Sequence, residues 1–452
     1  MTVGKPAQII LSFTLPIFVG NIFQQLYSMV DTVIVGKFVG NTALAAVGSC
    51  GTLTFLIIGF LMGLTAGFTV ITAQHFGAGN MKAMRQSVAS AAILSAVISV
   101  ILTVLSMAMM ENILHWMNTP DDMYDQAYSY IMVICGGIIA QVLYNLLASI
   151  LRALGDSKRP LYFLVLAALL NIVLDLVFII VFQMGAAGAA YATVISQGVS
   201  GILCLVYIIK KVPQLHLRKE DWRMNWDLAK WQMKIGLPMA FQYSITAIGS
   251  MVMQSANNGL GSVCVSGFTA GVRIKQFTMC PFDALATAAS VFCGQNLGAG
   301  KIDRIRKGIL QTAAVGVLYG GLVGLLLIFE GRNLSMIFIS KEEVEVLDAA
   351  AKYLRCMGYF YWSLGILNVC RMSTQGLGYS GRAVFSGVTE MFARCIVSLG
   401  FVQRFGYTAI CFTDQSAWIT ACCYIIPTCY LCVRQIAKKV EGNRQIEQNK
   451  VK

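Results

Sequence analysis

Charged side chains are scarce in this sequence. They make up 12% of the 452 residues, and hydrophobic side chains make up 57%, whereas an ordinary soluble domain carries roughly 25% charged residues. A chain with so little charge cannot cover a surface that faces water. Stretches without Asp, Glu, Lys or Arg, such as 38–81 and 235–272, exceed the roughly 20 residues that a helix needs to cross a bilayer. The composition therefore predicts a membrane protein with many spans.

Histidine is also scarce, with only His75, His115 and His216, and each of the three stands alone. The apolar runs contain no His/Asp, Ser/His or metal-ligating cluster, so the sequence predicts neither an enzyme nor a cofactor nor a resident metal. The fourteen cysteines are scattered through the apolar runs, where small buried side chains are expected. A disulfide framework and a zinc site are both disfavoured.

Short alternating segments, which would predict a β-barrel, are missing too. The apolar runs are continuous and rich in Leu, Ile, Ala and Gly, and this pattern is typical of membrane helices. Polar, Gly and Pro positions divide these runs into twelve spans. Most of the 34 Lys and Arg residues then fall on one side, together with both termini, which predicts cytoplasmic termini. Topology and lipid headgroups account for the net charge of +13, so nucleic acid is not expected as a partner.

An internal repeat is visible in three places. The segment 74–79 (Gln-His-Phe-Gly-Ala-Gly) recurs 221 residues later as 295–300 (Gln-Asn-Leu-Gly-Ala-Gly). The same displacement, within two residues, relates Leu15-Pro16 to Leu237-Pro238, and Leu154-Gly155 to Leu377-Gly378. Each half has six spans, so the second half repeats the orientation of the first, and the axis relating them runs along the membrane normal.

The repeat predicts the domain organisation. We expect a first six-helix lobe at 1–209, a basic cytoplasmic linker at 210–234, a second six-helix lobe at 235–433 and a cytoplasmic tail at 434–452. The predicted fold is an all-α polytopic membrane protein with twelve transmembrane helices in two parallel six-helix repeats around a central cleft. Such bundles suit alternating access, which favours a transporter over a channel.

Acidic residues inside the first-half spans are the first candidate site. A charged group at membrane depth costs about 2.5–3.5 kcal/mol on insertion scales, so it is expected to have a task. Asp31 lies in the first span, Asn171 and Asp175 are four residues apart in the fifth, and Thr193 lies in the sixth. This oxygen-rich set suits a small hard cation, and the carboxylates could equally take up a proton. Alternatively, the two Asp residues only satisfy donors within a packed bundle.

Further polar residues are candidates for the substrate cleft. Gln24, Tyr27 and Ser28 share a helical face with Asp31. In the second half, Arg273 lies deep in its span, where an ion pair with Asp283 or Glu390, or a gate function, is conceivable. Glu390 itself is four residues from Arg394, and a plain ion pair on one helix face is the simpler interpretation. We predict Gln24, Tyr27, Ser28, Arg273 and Glu390 as cleft residues.

The chain resembles the multidrug and toxic compound extrusion (MATE) family in its twelve spans, paired Gln-x-x-Gly-Ala-Gly segments, Leu-Pro openings of spans one and seven, and Leu-Gly-x-Ser endings of spans four and ten. The resemblance implies that Asp31 is the essential carboxylate, and that Asn171, Asp175 and Thr193 form the first-lobe cation site beside Tyr27. One branch of the family uses acidic residues in spans seven and ten, but 235–272 and 356–370 have none.

The resemblance also implies the function. We expect a sodium- or proton-coupled antiporter that exports small organic cations or drugs by alternating access, as a monomer in the bacterial inner membrane. A flippase of lipid-linked precursors is the alternative, although it would favour a row of basic residues in the cleft. A membrane-embedded enzyme or a receptor is disfavoured, because the former needs a catalytic cluster and the latter needs neither a repeat nor buried carboxylates.

Overall fold

The computed structural model describes residues 1–117 and 119–451, and all of their side chains except those of 41 and 443–451. Within the predicted cytoplasmic tail, residue 452 lies outside the described residues. Every regular element in the described residues is a helix, which confirms the predicted all-α class.

The first half of the chain folds into seven α-helices. They are α1 (Pro6–Phe38), α2 (Asn41–Gly77), α3 (Met81–Trp116), α4 (Asp121–Gly136), α5 (Ile138–Ala153), α6 (Lys158–Leu176) and α7 (Gly185–Lys211). The helices α4 and α5 form one span that bends by 46° at its break. A π-helical turn, Val177–Val181, continues α6. Two short 3₁₀ turns, Pro213–Leu215 and Lys219–Trp222, form part of the predicted linker.

The second half repeats this order. Its helices are α8 (Trp226–Asn258), α9 (Ser262–Gly298), α10 (Ile302–Ser335), α11 (Val344–Phe360), α12 (Trp362–Gly376), α13 (Ser380–Ile396), α14 (Val402–Phe405) and α15 (Tyr407–Val451). A second π-helical turn, Val397–Phe401, joins α13 to α14. The helices α11 and α12 meet at Tyr361, and together they correspond to the bent pair α4 and α5.

Most of these helices are long and apolar enough to cross a bilayer. Among the described residues, ten single helices meet this condition, and the bent pair α4 and α5 makes an eleventh. The helices α11 and α12 occupy the remaining predicted span. The twelve-span, two-repeat architecture predicted from the sequence is confirmed.

Backbone geometry confirms the repeat at the end of α2 and α9. Ala78 donates its backbone N–H to the Gln74 carbonyl over 3.0 Å, and Ala299 donates to Gln295 over 3.0 Å. The glycines that follow, at positions 79 and 300, have φ of 72° and 66°. Only glycine adopts this left-handed conformation without strain, which explains why the Gly-Ala-Gly motif appears in both halves.

The chain forms two compact units. One consists of Val19–Tyr243, and the other of Met1–Phe18 with Ser244–Lys452. Helices α1 and α8 therefore each contribute residues to both units. The predicted lobe boundaries at 209 and 235 follow the sequence repeat, and that division stays a prediction.

Glycine stripes bring helices into close contact within each unit. A Cβ atom placed on Gly63 would lie 2.5 Å from the Met239 carbonyl oxygen, because α2 packs tightly against α8 there. In the other unit, a Cβ on Gly324 of α10 would lie 2.5 Å from the Gly358 carbonyl oxygen of α11. Both Gly63 and Gly324 belong to runs of glycines spaced by four residues, at 59, 63 and 67 and at 316, 320 and 324, and this spacing serves helix packing.

The Gly324→Val variant should be destabilised, because its side chain would collide with the α11 backbone. Overpacking of this kind costs about 1–3 kcal/mol, and the midpoint of thermal unfolding in detergent should fall accordingly. Gly321→Ala is the matched control, since a Cβ there meets nothing within 4 Å. If the two variants unfold at the same temperature, the proposed close packing of α10 is wrong.

Candidate functional site

Helices α1, α6 and α7 bring together the first-half residues that the sequence nominated, all within the unit Val19–Tyr243. The Asn171 side-chain amide donates to the Thr193 hydroxyl over 3.4 Å. Asn171 and Asp175 are 1% and 0% exposed, and the carboxyl groups of Asp31 and Asp175 are close enough to affect each other electrostatically. The four predicted cation-coupling residues thus lie in one place.

The oxygen atoms of this cluster lack donors. Among the described residues, no hydrogen-bond partner is found for both carboxyl oxygens of Asp175, for Oδ1 of Asp31 or for Oδ1 of Asn171, although all four atoms are buried. A buried polar atom without a partner costs free energy, and a buried charge without a counter-charge costs more. Ionised carboxylates only accept hydrogen bonds, and two of them side by side repel. The arrangement can therefore accept a positive charge, as a proton or as a small metal cation.

A narrow cleft borders this cluster. Seven residues line it: Tyr27, Ala167, Ala168, Asn171, Thr193, Ser196 and Gln197. The cleft is too narrow to admit even a water-sized sphere in this structure, whereas a typical site for a drug-sized ligand has roughly 300 Å³ or more. A drug would therefore have to bind elsewhere.

The other first-span candidates differ in position. The Tyr27 hydroxyl interacts with the side chains of Gln24 and Gln197, close to the two carboxyl groups. Gln24 and Tyr27 are partly buried, and Ser28 is exposed. Gln24 and Tyr27 therefore belong to the surroundings of the carboxyl pair, whereas Ser28 lies at its margin.

A second buried cluster of charges lies in the other unit, and its acidic centre is Asp414 on α15. The Asp414 carboxylate accepts from Lys275 Nζ over 2.6 Å, from the Tyr353 hydroxyl over 3.0 Å and from Arg394 Nε over 3.1 Å. Glu390 pairs with Arg371, and its other oxygen lies 3.6 Å from Arg394 Nη2. We call these groups the second-half network: Lys275, Tyr353, Arg371, Glu390, Arg394 and Asp414.

The network decides between the sequence predictions for the second half. The expected pair of Glu390 with Arg394 is confirmed, and Glu390 is only 3% exposed. Arg273 is exposed, and its side chain pairs with neither Asp283 nor Glu390 among the ion pairs of the described residues. Asp414 was not among the residues predicted from the sequence, although it is a single acid within the apolar run 407–433 and such a residue is a signal of function.

The buried carboxyl groups at membrane depth therefore differ between the halves. The Asp175 oxygens have no basic partner among the described residues, whereas Glu390 and Asp414 each pair with protein cations. Twelve spans in two repeats define a class of multi-pass membrane transporter.

Comparison with known proteins identifies the family. A model of the MatE family matches residues 16–177 and again 238–398, once in each repeat. The probable multidrug resistance protein YpnP of Bacillus subtilis is 30% identical over 92% of this chain and 90% of its own length. The FAD transporter of Shewanella oneidensis is 25% identical over 80% of each chain. A crystal structure of a MATE protein in complex with MaL6 superposes with a TM-score of 0.91 at 21% identity, covering 96% of this chain and 98% of that one.

The chain belongs to the multidrug and toxic compound extrusion family. It is accordingly a multi-pass membrane transporter and not an enzyme. The family match falls on both repeats, so it agrees with the duplication seen in the sequence and in the backbone.

Replacing Asp414 should destabilise the protein strongly. Asp414→Asn would leave Lys275 and Arg394 buried without their shared carboxylate, and breaking a buried ion pair costs about 3–5 kcal/mol. A lower midpoint of thermal unfolding in detergent would report the loss. Asp348→Asn is the control, because Asp348 lies 3.5 Å from Arg332 with 61% of its side chain exposed, and exposed pairs contribute little. Equal midpoints for the two variants would contradict a stabilising role of the network.

Proposed function

We propose that this protein exports organic cations by exchanging them for sodium ions or protons. The exchange proceeds by alternating access, in which the two repeats open a central cleft to one side of the membrane at a time. The single observation that carries the proposal is the neighbouring pair Asp31 and Asp175, because three of its carboxyl oxygens are buried without a hydrogen-bond donor among the described residues.

The acidic pair gives the coupling a physical basis. Without a bound positive charge, two neighbouring carboxylates in a low-dielectric environment repel each other, and their desolvation is not offset. A sodium ion or a proton removes this penalty, so its arrival changes the relative free energies of the conformations. Release of the ion on the other side restores the penalty. A ligand can drive a conformational change only through such a difference in affinity between states.

Asn171 and Thr193 are positioned to complete the ion shell. The amide of Asn171 donates to Thr193, so the Asn171 side-chain oxygen remains available as an acceptor beside Asp175. Amide, hydroxyl and carboxylate oxygens are the ligands that hard cations prefer. Tyr27 and Gln24 would support the same shell from α1.

The membrane setting belongs to the same proposal. The distribution of Lys and Arg residues supports cytoplasmic termini, and the family supports a bacterial inner membrane. We propose a monomer, because a single chain carries both repeats.

Efflux should depend on the acidic pair. In proteoliposomes with an imposed sodium or pH gradient, the wild type should drive accumulation or release of a fluorescent organic cation such as ethidium. Asp31→Asn and Asp175→Asn should each reduce gradient-driven flux at least about tenfold, because the neutral amide removes the charge that recruits the ion.

Asp303→Asn is the control for this measurement, since Asp303 has 90% of its side chain exposed and pairs only loosely with Arg306 at 3.8 Å. Sodium and pH gradients applied separately identify the coupling ion. Undiminished flux in both acidic-pair variants would contradict the proposal, and flux independent of either gradient would favour the flippase alternative.

A further inference from the structure

One face of α9 is polar along most of the span. The exposed residues of α9 are Ser262, Ser266, Thr269, Arg273, Gln276 and Asp283. They follow one another at spacings of three, four or seven residues, so they form a single stripe on one helical face. We call this the α9 stripe. It contains no apolar residue, although α9 is among the helices apolar enough to cross a membrane.

The neighbouring helix α10 shows what a lipid-facing surface looks like in this unit. Its exposed residues include Leu310, Leu318, Leu322 and Phe329, which are 61–76% exposed. Lipid tails accept such side chains, whereas an arginine or an aspartate at membrane depth costs about 2.5–3.5 kcal/mol on insertion scales. The α9 stripe therefore faces a water-filled space and not lipid.

The repeat provides an internal comparison for the stripe. Positions 266, 269, 273, 276 and 283 correspond, at the displacement of 221 residues shared by both ends of α2 and α9, to positions 45, 48, 52, 55 and 62. All five positions of α2 are exposed as well, but they hold Ala45, Gly48, Thr52, Phe55 and Met62. The same surface has thus been kept in both repeats, and in the second repeat it carries polar and charged groups.

The two charges of the stripe are available to a ligand. The side chains of Arg273 and Asp283 have no hydrogen bond or ion pair with residues that the structure describes, although the positive charge of Arg371 in the second-half network acts on Asp283 from a longer distance. Ten residues separate them, which is about 15 Å along the helix axis. The long arginine side chain can shorten this distance toward a ligand. Gln276 lies between them and offers both a donor and an acceptor.

We infer that the α9 stripe is a substrate-binding surface for amphoteric organic cations, with Asp283 binding the cationic group and Arg273 binding an acidic group of the same molecule. The binding surface deepens the proposed export function, and calling the bound molecule a substrate rests on that function. An arginine binds a carboxylate with charge-assisted hydrogen bonds. A molecule with only a cationic group would gain Asp283 and meet repulsion from Arg273, so the stripe prefers molecules that carry both charges.

The test compares two dyes that differ by one group. Tetramethylrhodamine carries a carboxylate beside its cationic ring system, and in its methyl ester the carboxylate is masked. Equilibrium binding of each dye to the purified full-length protein in detergent is followed by fluorescence anisotropy. Arg273→Gln should weaken binding of the carboxylate dye about tenfold to a hundredfold, which corresponds to the loss of a hydrogen bond to a charged group. The methyl ester should bind Arg273→Gln at least as tightly as it binds the wild type.

Three further variants sharpen the result. Arg273→Lys should retain most of the binding of the carboxylate dye, and Asp283→Asn should weaken both dyes. Arg404→Gln, which removes an exposed arginine outside the stripe, should change neither. Equal effects of Arg273→Gln on both dyes, or no binding of either dye to the wild type, would overturn the inference.

This measurement uses no ion gradient, so it is separate from the test of the proposed function. Selective loss of the carboxylate dye without gradient-driven transport would support the binding surface and contradict the export mechanism. Transport of ethidium that depends on Asp31, with no selectivity between the two dyes, would support export and contradict the α9 stripe.

Discussion

The electrostatic repulsion between the neighbouring carboxyl groups of Asp31 and Asp175 is the constraint on which the proposed mechanism depends. Two such groups at membrane depth, whose orphan oxygens find no donor in the described part of the chain, raise the free energy of the protein unless a positive charge joins them. Most of the structure consists of helices that bury apolar side chains and need no such device. A protein retains such a free-energy cost when the groups that cause it have a function. Ion coupling is a function that uses the uncompensated negative charge directly.

The two repeats share one fold, but their buried carboxylates have different partners. Both repeats keep the Gly-Ala-Gly helix ends and the exposed face of the second helix of each half. In the first repeat, the carboxylates remain without protein cations, so an ion from solution can matter. In the second repeat, Lys275 and Arg394 neutralise Asp414 from within the protein, so that region is expected to be insensitive to solution ions. The first repeat thus can hold a positive charge that exchanges with solution, whereas the positive charges of the second repeat belong to the protein itself.

Much of the fold and of the first-half site could be predicted from the sequence, because membrane-spanning helices appear in it as long apolar runs. The same runs make an acid conspicuous, and Asp31 and Asp175 were found in that way. Asn171 followed from its four-residue spacing to Asp175, and Thr193 was predicted because it lies in the next span. The contact of Lys275 with Asp414 could not be derived, since 139 residues separate them and only the packing of both α9 and α15 against α11 and α12 brings them together. The exposure of Arg273 was equally hidden, because spacing shows which residues share a face but not which way that face points.

Counting the positive charges that the acidic pair takes up tests the central claim most directly. Binding of radioactive sodium to the purified protein, together with proton uptake by the same sample, gives the number of exchangeable cations per chain. The account predicts about one cation of either kind per chain in the wild type, and its loss when Asp31→Asn and Asp175→Asn are combined. Cation uptake that survives in the combined variant would contradict it.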